Sequence, residues 1–386
     1  MRLRQKHPAS GFPSILFIHV WPTKTCFPAP EGPPLKWDID AFREHAQTAV
    51  ILELHTIPLY LFSQFCIKPA SSDAARKIAG VVVQEMLHLA LAGNILCALG
   101  GQPVLYGPKY TPQYPCEIFY ENVELHLRSP SPPVIKDFVR VEAPSASGPV
   151  QPPQPSEDHV LPKYHTIGEF YKTLITAMQN YDKEHPGKLF DPSTANRQFN
   201  QDDSVSIDGM NQVTDITSAV TAMTLIIDQG EGGGAVTDSH WATFKELESQ
   251  TIEYYEVVGD PHTSDPRYEG LPIKTAMQAL DAAYCYLLLS IENTWVSSNH
   301  RDDLVDNIDK LMVPIIAKIA KFLVTQTLAG SSEHAPPPFN YFPFSSTEAA
   351  YQELKDAVGE ASKNYQELKG LPDKVEKLFD LSKLHT

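Results

Sequence analysis

Two side chains in the run Gln84-Glu85-Met86-Leu87-His88 stand three residues apart inside an otherwise apolar helical pattern. Apolar residues at Ile78, Val81, Val82, Leu89, Ala92, Ile95, Leu96 and Leu99 recur with the 3.6-residue helical period. Continued through its centre, that stripe lands on Glu85 and His88. The face directed at the core therefore carries a carboxylate and an imidazole, and residues i and i+3 are neighbours on a helix. A buried carboxylate is costly unless it is paired or bound to a metal. Glu-x-x-His is also the pair that carboxylate metal sites project into a helical bundle. The plainer alternative is a buried ion or hydrogen-bond pair with no ligand.

The elements around this pair bear on the choice. Its helix should run from about Asp73 to Leu99, with Ser71, Ser72 or Asp73 at the start and Gly100-Gly101-Gln102-Pro103 as the stop. An earlier helix opens at Trp37-Asp38-Ile39-Asp40, with Asp38 or Asp40 as N-cap, and continues to about Phe65. On it Phe42, Ala46, Ala49, Ile57 and Tyr60 share a face, with Glu53 in its middle, and Pro58 is expected to interrupt the helix. His55, two residues from Glu53, points off that face and is read as packing. The connection is short, so the two helices should be antiparallel. Glu53 lies about 13 residues before one end and Glu85 about 13 after the next start. At about 1.5 Å per residue the two carboxylates stand at one height.

Composition narrows the function classes. The 386 residues are 42% hydrophobic, enough for a real core in one large domain or two. A net charge of −16 without a basic run argues against nucleic acid or an anionic membrane as partner. Cys26, Cys66, Cys97, Cys116 and Cys285 are odd in number and lack Cys-x-x-Cys spacing, which suits reduced thiols and a cytoplasmic location. No apolar run is read as reaching the length of a membrane span. Arg2, Arg4 and Lys6 before Ile15–Trp21 follow the order of a signal peptide. That apolar run is short, contains His19 and meets Pro22, so it is read as an irregular leader.

The remaining chain divides into an irregular N-terminal arm (1–37), a main domain (38–342) and a helical C-terminal tail (343–386). Residues 104–165 are proline-rich and read as a long crossover holding a short helix near Val134–Val141 and a short strand within Glu117–Leu127. Helical periods follow at Ile167–Asn180, capped by Thr166, from Met210 to Ile227, and from about Asp238 to Tyr254 or Tyr255. Ile273–Trp295 and Leu304–Leu328 continue them, the latter bent at Pro314. In the tail, Tyr351, Leu354, Val358, Ala361, Tyr365 and Leu368 make a two-heptad seam. It is expected to pack back on the body, and a homodimer through it stays open.

Several of these stretches resemble a known family. Leu52-Glu53-Leu54-His55-Thr56-Ile57-Pro58-Leu59-Tyr60 is similar to the first-helix motif of the ferritin-like domain in the iminophenylpyruvate dimer synthase family, which includes part of the violacein-pathway enzyme. Glu85-Met86-Leu87-His88-Leu89 with Asn94-Ile95-Leu96 and Leu99-Gly100-Gly101 resembles its second helix. The likeness continues through Val141-Glu142-Ala143-Pro144, Thr166 to Tyr171, Ile227-Asp228-Gln229-Gly230-Glu231-Gly232, Ser239-His240, and Tyr284 to Leu289, covering roughly residues 38–342. It implies an all-α fold: a ferritin-like four-helix bundle with additional C-terminal helices and the long irregular crossover. It also implies a dinuclear centre with Glu53, Glu85 and His88 from the first helix pair, and Glu231 and His240 from the second. Two iron ions, or manganese, suit such oxygen-rich ligands and leave positions open for dioxygen. The chain departs from the family at Asp228, where Glu is usual, and in having no second Glu-x-x-His, since Thr237 precedes His240 by three. A mononuclear site, or one completed by Asp228 or Glu246, stays open.

The function that the resemblance implies is a non-haem di-iron oxidase or oxygenase. Its substrate would be a small, amino-acid-derived metabolite, as in oxidative imine coupling. The alternatives are a metal-binding or storage protein without catalysis, and a helical protein in which Glu53, Glu85 and His88 are only a buried polar network.

Overall fold

The computed structural model describes residues 28–70, 72–117, 120, 123–145, 147–151, 162–230 and 239–385. Helix α1 (Ile39–Cys66) begins where the Asp38 carboxylate accepts the Ala41 N–H at 2.9 Å. It runs through Pro58 without a break, contrary to the expectation that proline would interrupt it. Proline removes one backbone donor there, and Tyr114 from the crossover donates its hydroxyl to the neighbouring His55 carbonyl at 2.5 Å. A two-residue strand, β1 (Ile67–Lys68), leads into α2 (Asp73–Ala98), capped by Ser72 and terminated at Gly100 with φ +72°. The two helices pack antiparallel along their length, as the short connection requires.

The crossover is pinned rather than loose at its start. Gln47 of α1 donates to the Val104 carbonyl and accepts the Val104 N–H, and Glu292 accepts the N–H groups of Leu105 and Tyr106. Among the described residues of the expected Glu117–Leu127 strand, the pairing is a two-residue ladder, β2 (Cys116–Glu117) against β3 (Glu124–Leu125). Helix α3 (Pro132–Val141) follows, and then α4 (Ile167–Glu184). At the start of α4, Thr166 accepts the Glu169 N–H and Glu169 accepts the His165 N–H, a reciprocal cap.

Helix α5 (Ile216–Gly230) starts six residues later than the period from Met210 suggested. Asp215 ties up the Ser218 N–H at 2.8 Å and sets the start, while Met210 and Val213 are buried in the preceding loop. Helix α6 (His240–Glu248) stops short of the expected Tyr254, because Glu253–Tyr254 forms β4 against β1. Helices α1, α2, α5 and α4 surround one another as a four-helix bundle, and α3 and α6 pack together at one end.

Beyond the bundle, α7 (Ile273–Thr294) is buried along most of its length, and α8 (Arg301–Leu311) continues through a π turn at Pro314 into α9 (Lys318–Leu323). The tail forms α10 (Thr347–Asn364) and α11 (Leu371–Val375). Leu354, Val358 and Ala361 are fully buried, and α10 lies against α7. The heptad seam is thus spent within the chain. Helices α1 and α2 are, after all, long and apolar enough to cross a membrane by length and composition. Their apolar windows are 89% and 83% buried against the rest of the protein, so that surface forms its core. Among the described residues Cys66, Cys97, Cys116 and Cys285 are free thiols.

Two contacts make the α7 packing testable. A Cβ at Gly93 of α2 would fall 2.1 Å from the Trp295 ring, which is itself held by a 2.9 Å hydrogen bond to Asn94. Gly93→Ala should therefore cost about 1–3 kcal/mol in urea unfolding through overpacking. On α7, Asp281 is enclosed, accepting the Thr263 hydroxyl and the Asn340 N–H, and burial raises its pKa from 3.8 to about 8. A folded-state pKa raised above the unfolded one gives stability that is complete below about pH 4 and lost as pH rises through 8. Stability should fall over that range by at most about 1.4 kcal/mol per pH unit, and Asp281→Asn should flatten the dependence.

Candidate metal centre

Helix periodicity gathers the first half of the site. On α1, Glu53, Thr56 and Tyr60 follow one another at steps of three and four and so share a face. On α2, Glu85 and Gln84 precede His88 by three and four residues and so lie one turn before it. Antiparallel packing brings the two faces together at matching height: His88 Nδ1 lies 3.5 Å from Glu53 Oε2 and 3.8 Å from Glu85 Oε2. Thr56 donates to Glu85 Oε2 at 2.6 Å. Glu53, Glu85 and His88 are all buried.

The second half comes from chain ends outside the helix pair. His240 is the first residue of α6, fixed by its Ser239 N-cap, and its Nδ1 lies 2.8 Å from Glu85 Oε1. Glu142 follows the last turn of α3 and stands 3.6 Å from the same nitrogen. A triangle of Tyr60, Phe138 and Phe244, with ring centroids 5.0–5.1 Å apart, clamps α3 and α6 to α1 and so places both residues. Tyr60 donates its hydroxyl to Glu142, and Tyr171 of α4 donates to Glu53.

The imidazoles are oriented from behind. His88 Nε2 meets the Gln229 side-chain oxygen at 2.9 Å, and His240 Nε2 meets that of Gln84 at 3.0 Å. An amide oxygen can only accept, so each Nε2 carries the proton. Each Nδ1 then faces the carboxylates, and the two rings lie 5.3 Å apart. His240 Nδ1 is buried and completes no hydrogen bond among the described residues, in spite of its 2.8 Å approach to Glu85. Lone pairs facing carboxylate oxygens repel unless a proton or a metal cation lies between them. One ligand atom from each of Glu85, His88 and His240 falls within 4.8 Å of the others, close enough to share an ion.

Electrostatics says the same. Burial pushes the Glu53 carboxyl above the ordinary carboxylate range, more than His88 beside it pulls it down. Burial also drives Glu85 upward, but there the imidazoles of His240 and His88 prevail and hold it below that range. Burial works against the charged imidazoles, yet the flanking carboxylates raise His88 to about 10 and His240 to about 9. The cluster attracts positive charge at its centre. A cavity of about 50 Å³ adjoins it, bordered by Glu53, Glu85, His88, Glu142 and Tyr171, room for ions or very small molecules.

Of the residues singled out from sequence, Glu53, Glu85, His88 and His240 converge. Glu231 lies outside the described residues, directly after Gly230, which borders the cavity. Asp228, half-buried in the last turn of α5, is not among the residues bordering that cavity; its neighbour Gln229 faces His88. Glu246 pairs with Lys77 at the surface, away from the cluster, and His55 bonds the Ile51 carbonyl at 2.6 Å within its own helix. Sequence pattern alone does not mark Glu142 as a member of the site. Its signal is a carboxylate ending a strongly amphipathic helix, within the Val141-Glu142-Ala143-Pro144 stretch.

Comparison with known proteins agrees with this architecture. The pattern of the family described as "Ferritin-like" matches residues 46–249, which contain every residue of the cluster. The crystal structure of a ferritin-like protein from Caulobacter vibrioides superposes with a TM-score of 0.54. At 24% identity it covers 74% of this chain and 96% of its own. No curated protein matches the chain.

Proposed function

This chain belongs to the ferritin-like family, and we propose that its buried carboxylate–imidazole cluster holds a redox-active metal centre for oxidising a small metabolite with dioxygen. The observation that carries the reading is the pair of Nδ1 atoms, each with its Nε2 tied to a glutamine oxygen, facing buried carboxylates around one cavity. Glu53, Glu85, Glu142, His88 and His240 would hold the metal, joined by Glu231. Oxygen-rich ligands with two imidazoles suit iron or manganese in preference to the softer metals, and such ions supply one-electron chemistry with dioxygen.

The chain's own residues have defined parts in this. Gln84 and Gln229 fix the imidazole tautomers, as the partners behind metal-binding histidines generally do. Thr56, Tyr60 and Tyr171 each hold one carboxylate in place by donating a hydroxyl hydrogen. Two ions would share the set, in which Glu85 stands between His88 and His240. An amino-acid-derived substrate, as in imine coupling, is the reading that the motif resemblance favours. The cavity of about 50 Å³ favours a second one, a centre that binds and oxidises metal without an organic substrate.

Protein purified without added metal should carry one to two equivalents of iron or manganese by elemental analysis. Substoichiometric metal, with stability unchanged on chelation, overturns the proposal. Glu85→Ala should abolish binding, and Gln229→Leu should weaken it by about 10- to 100-fold. Dioxygen consumption in the presence of candidate amino-acid-derived substrates separates the two readings: multiple turnovers per bound metal mark an enzyme, and a single stoichiometric uptake marks a store.

A further inference from the structure

Tyr171, which donates its hydroxyl to Glu53 beside the metal cavity, is the inner end of a continuous run of ring contacts. Its ring centroid lies 5.3 Å from that of Phe170, and Phe170 meets Tyr164 at 5.5 Å and His45 at 5.9 Å. His45 in turn meets Trp37 at 4.6 Å. Tyr171, Phe170, Tyr164 and His45 are buried, and Trp37 is half-buried. Trp37 borders an outer cavity of about 490 Å³ that Lys36, Tyr181 and His185 also line. The run thus joins the cavity at the metal cluster to a larger one along α4.

Rings in contact are ordinary core packing. What sets this run apart is the bonding of its two phenols, each of which donates to a group able to take a proton: Tyr171 to Glu53 and Tyr164 to His45. The Ala41 carbonyl stands 2.7 Å from His45 Nδ1 and can only accept, so Nδ1 carries the ring proton. Nε2 then offers its lone pair to the Tyr164 hydroxyl at 3.1 Å. Burial keeps this ring neutral, lowering its pKa to about 4, while the Ala41 and Gly32 carbonyls favour a proton once it arrives. A phenol yields an electron most readily when its proton can leave at once to a base already bonded to it. Tyr120 makes the contrast: it also touches Phe170 and Tyr164, but its hydroxyl goes to the Pro30 carbonyl, a far weaker base.

Resting on the metal reading of the cluster, we propose that Tyr171, Tyr164 and Trp37 form a relay that carries electrons from a small enediol reductant in the outer cavity to the metal centre, with His45 holding the Tyr164 proton during each passage. Phe170 bridges the two phenols without being oxidised. Each passage moves one electron inward. Tyr171 gives an electron to the centre and its hydroxyl proton to Glu53, then recovers the electron from Tyr164 and the proton from Glu53. At Tyr164 the O–H bond breaks as the electron leaves, and the proton passes to His45 Nε2. An electron from Trp37 brings that proton back, and the reductant restores Trp37, ending in its one-electron-oxidised form. Dioxygen is the final acceptor, and the side chains end unchanged. The route discharges an oxidising equivalent when no organic substrate fills the metal cavity.

The test is pulse radiolysis of the full-length protein as purified, with azide radicals oxidising accessible indoles. The indolyl absorption should decay as a tyrosyl absorption rises, at a rate independent of protein concentration. Trp37→Phe and Tyr164→Phe should each remove that phase. His45→Gln keeps an acceptor beside Tyr164 but cannot hold its proton, and should slow the phase by about 100-fold, the scale of a positioned proton acceptor. Circular dichroism and metal content of each variant show that fold and metal are retained. With dioxygen and ascorbate, metal-loaded Tyr164→Phe should oxidise ascorbate more slowly than the parent at equal metal content. The relay is overturned if the parent shows no transfer from indole to phenol, if the three variants transfer as fast as the parent, or if Tyr164→Phe leaves ascorbate oxidation unchanged. Metal content alone decides the reading on which the relay rests, so the two fail separately.

Discussion

Burying ionisable groups is the constraint on which the rest of this structure depends. Glu53, Glu85, His88, Glu142 and His240 sit within a few ångströms of one another, almost wholly out of water. Taking charges from water costs several kcal/mol each unless their geometry is closely matched, so the surrounding elements must hold them in register. Long capped helices do this for the first half of the site. The glutamine, threonine and tyrosine partners do it for the individual side chains.

The irregular segments serve the same end. A crossover of some sixty residues would be hard to justify as a mere connection. Here it supplies Glu142 at the end of α3, is pinned to α1 through Gln47 and to α7 through Glu292, and delivers the chain to α4 and Tyr171. The triangle of Tyr60, Phe138 and Phe244 turns that route into a fixed distance between Glu142 and His240. Helix α7 plays the matching part on the other side of the α1–α2 pair, where its packing is mainly apolar. One helix pair therefore has the charged cluster on one face and mainly apolar packing, with the Asn94–Trp295 hydrogen bond, on the other.

Period and capping make the helices legible in the residue pattern itself. Asp38, Ser72 and Thr166 cap where the residue types indicate, and the all-α class follows from those patterns. The tail seam of Leu354, Val358 and Ala361 packs inward as its spacing suggests. The failures are local and physical. Pro58 does not break its helix: it removes one backbone donor, and α1 runs on to Cys66. The period from Met210 overruns into a buried loop because burial alone does not make a helix, and Asp215 sets the start. Tyr254 lies in a strand, because β1 offers it a partner that no local pattern announces.

The sequence by itself determined that Glu53, Glu85 and His88 would meet. A 3.6-residue period and a short antiparallel connection fix the face and height of each side chain without further information. It also marked His240, through the resemblance of Ser239-His240 to a known motif. Only the tertiary structure decided that Glu142 shares the site, that Gln84 and Gln229 orient the two imidazoles, and that Asp228 stands aside from the cavity. Those relations join residues between 98 and 156 positions apart, counting from His240 to Glu142 and to Gln84. No periodicity spans such a separation: the crossover and the aromatic clamp bring these residues together, and contacts of that kind exist only once the chain has folded.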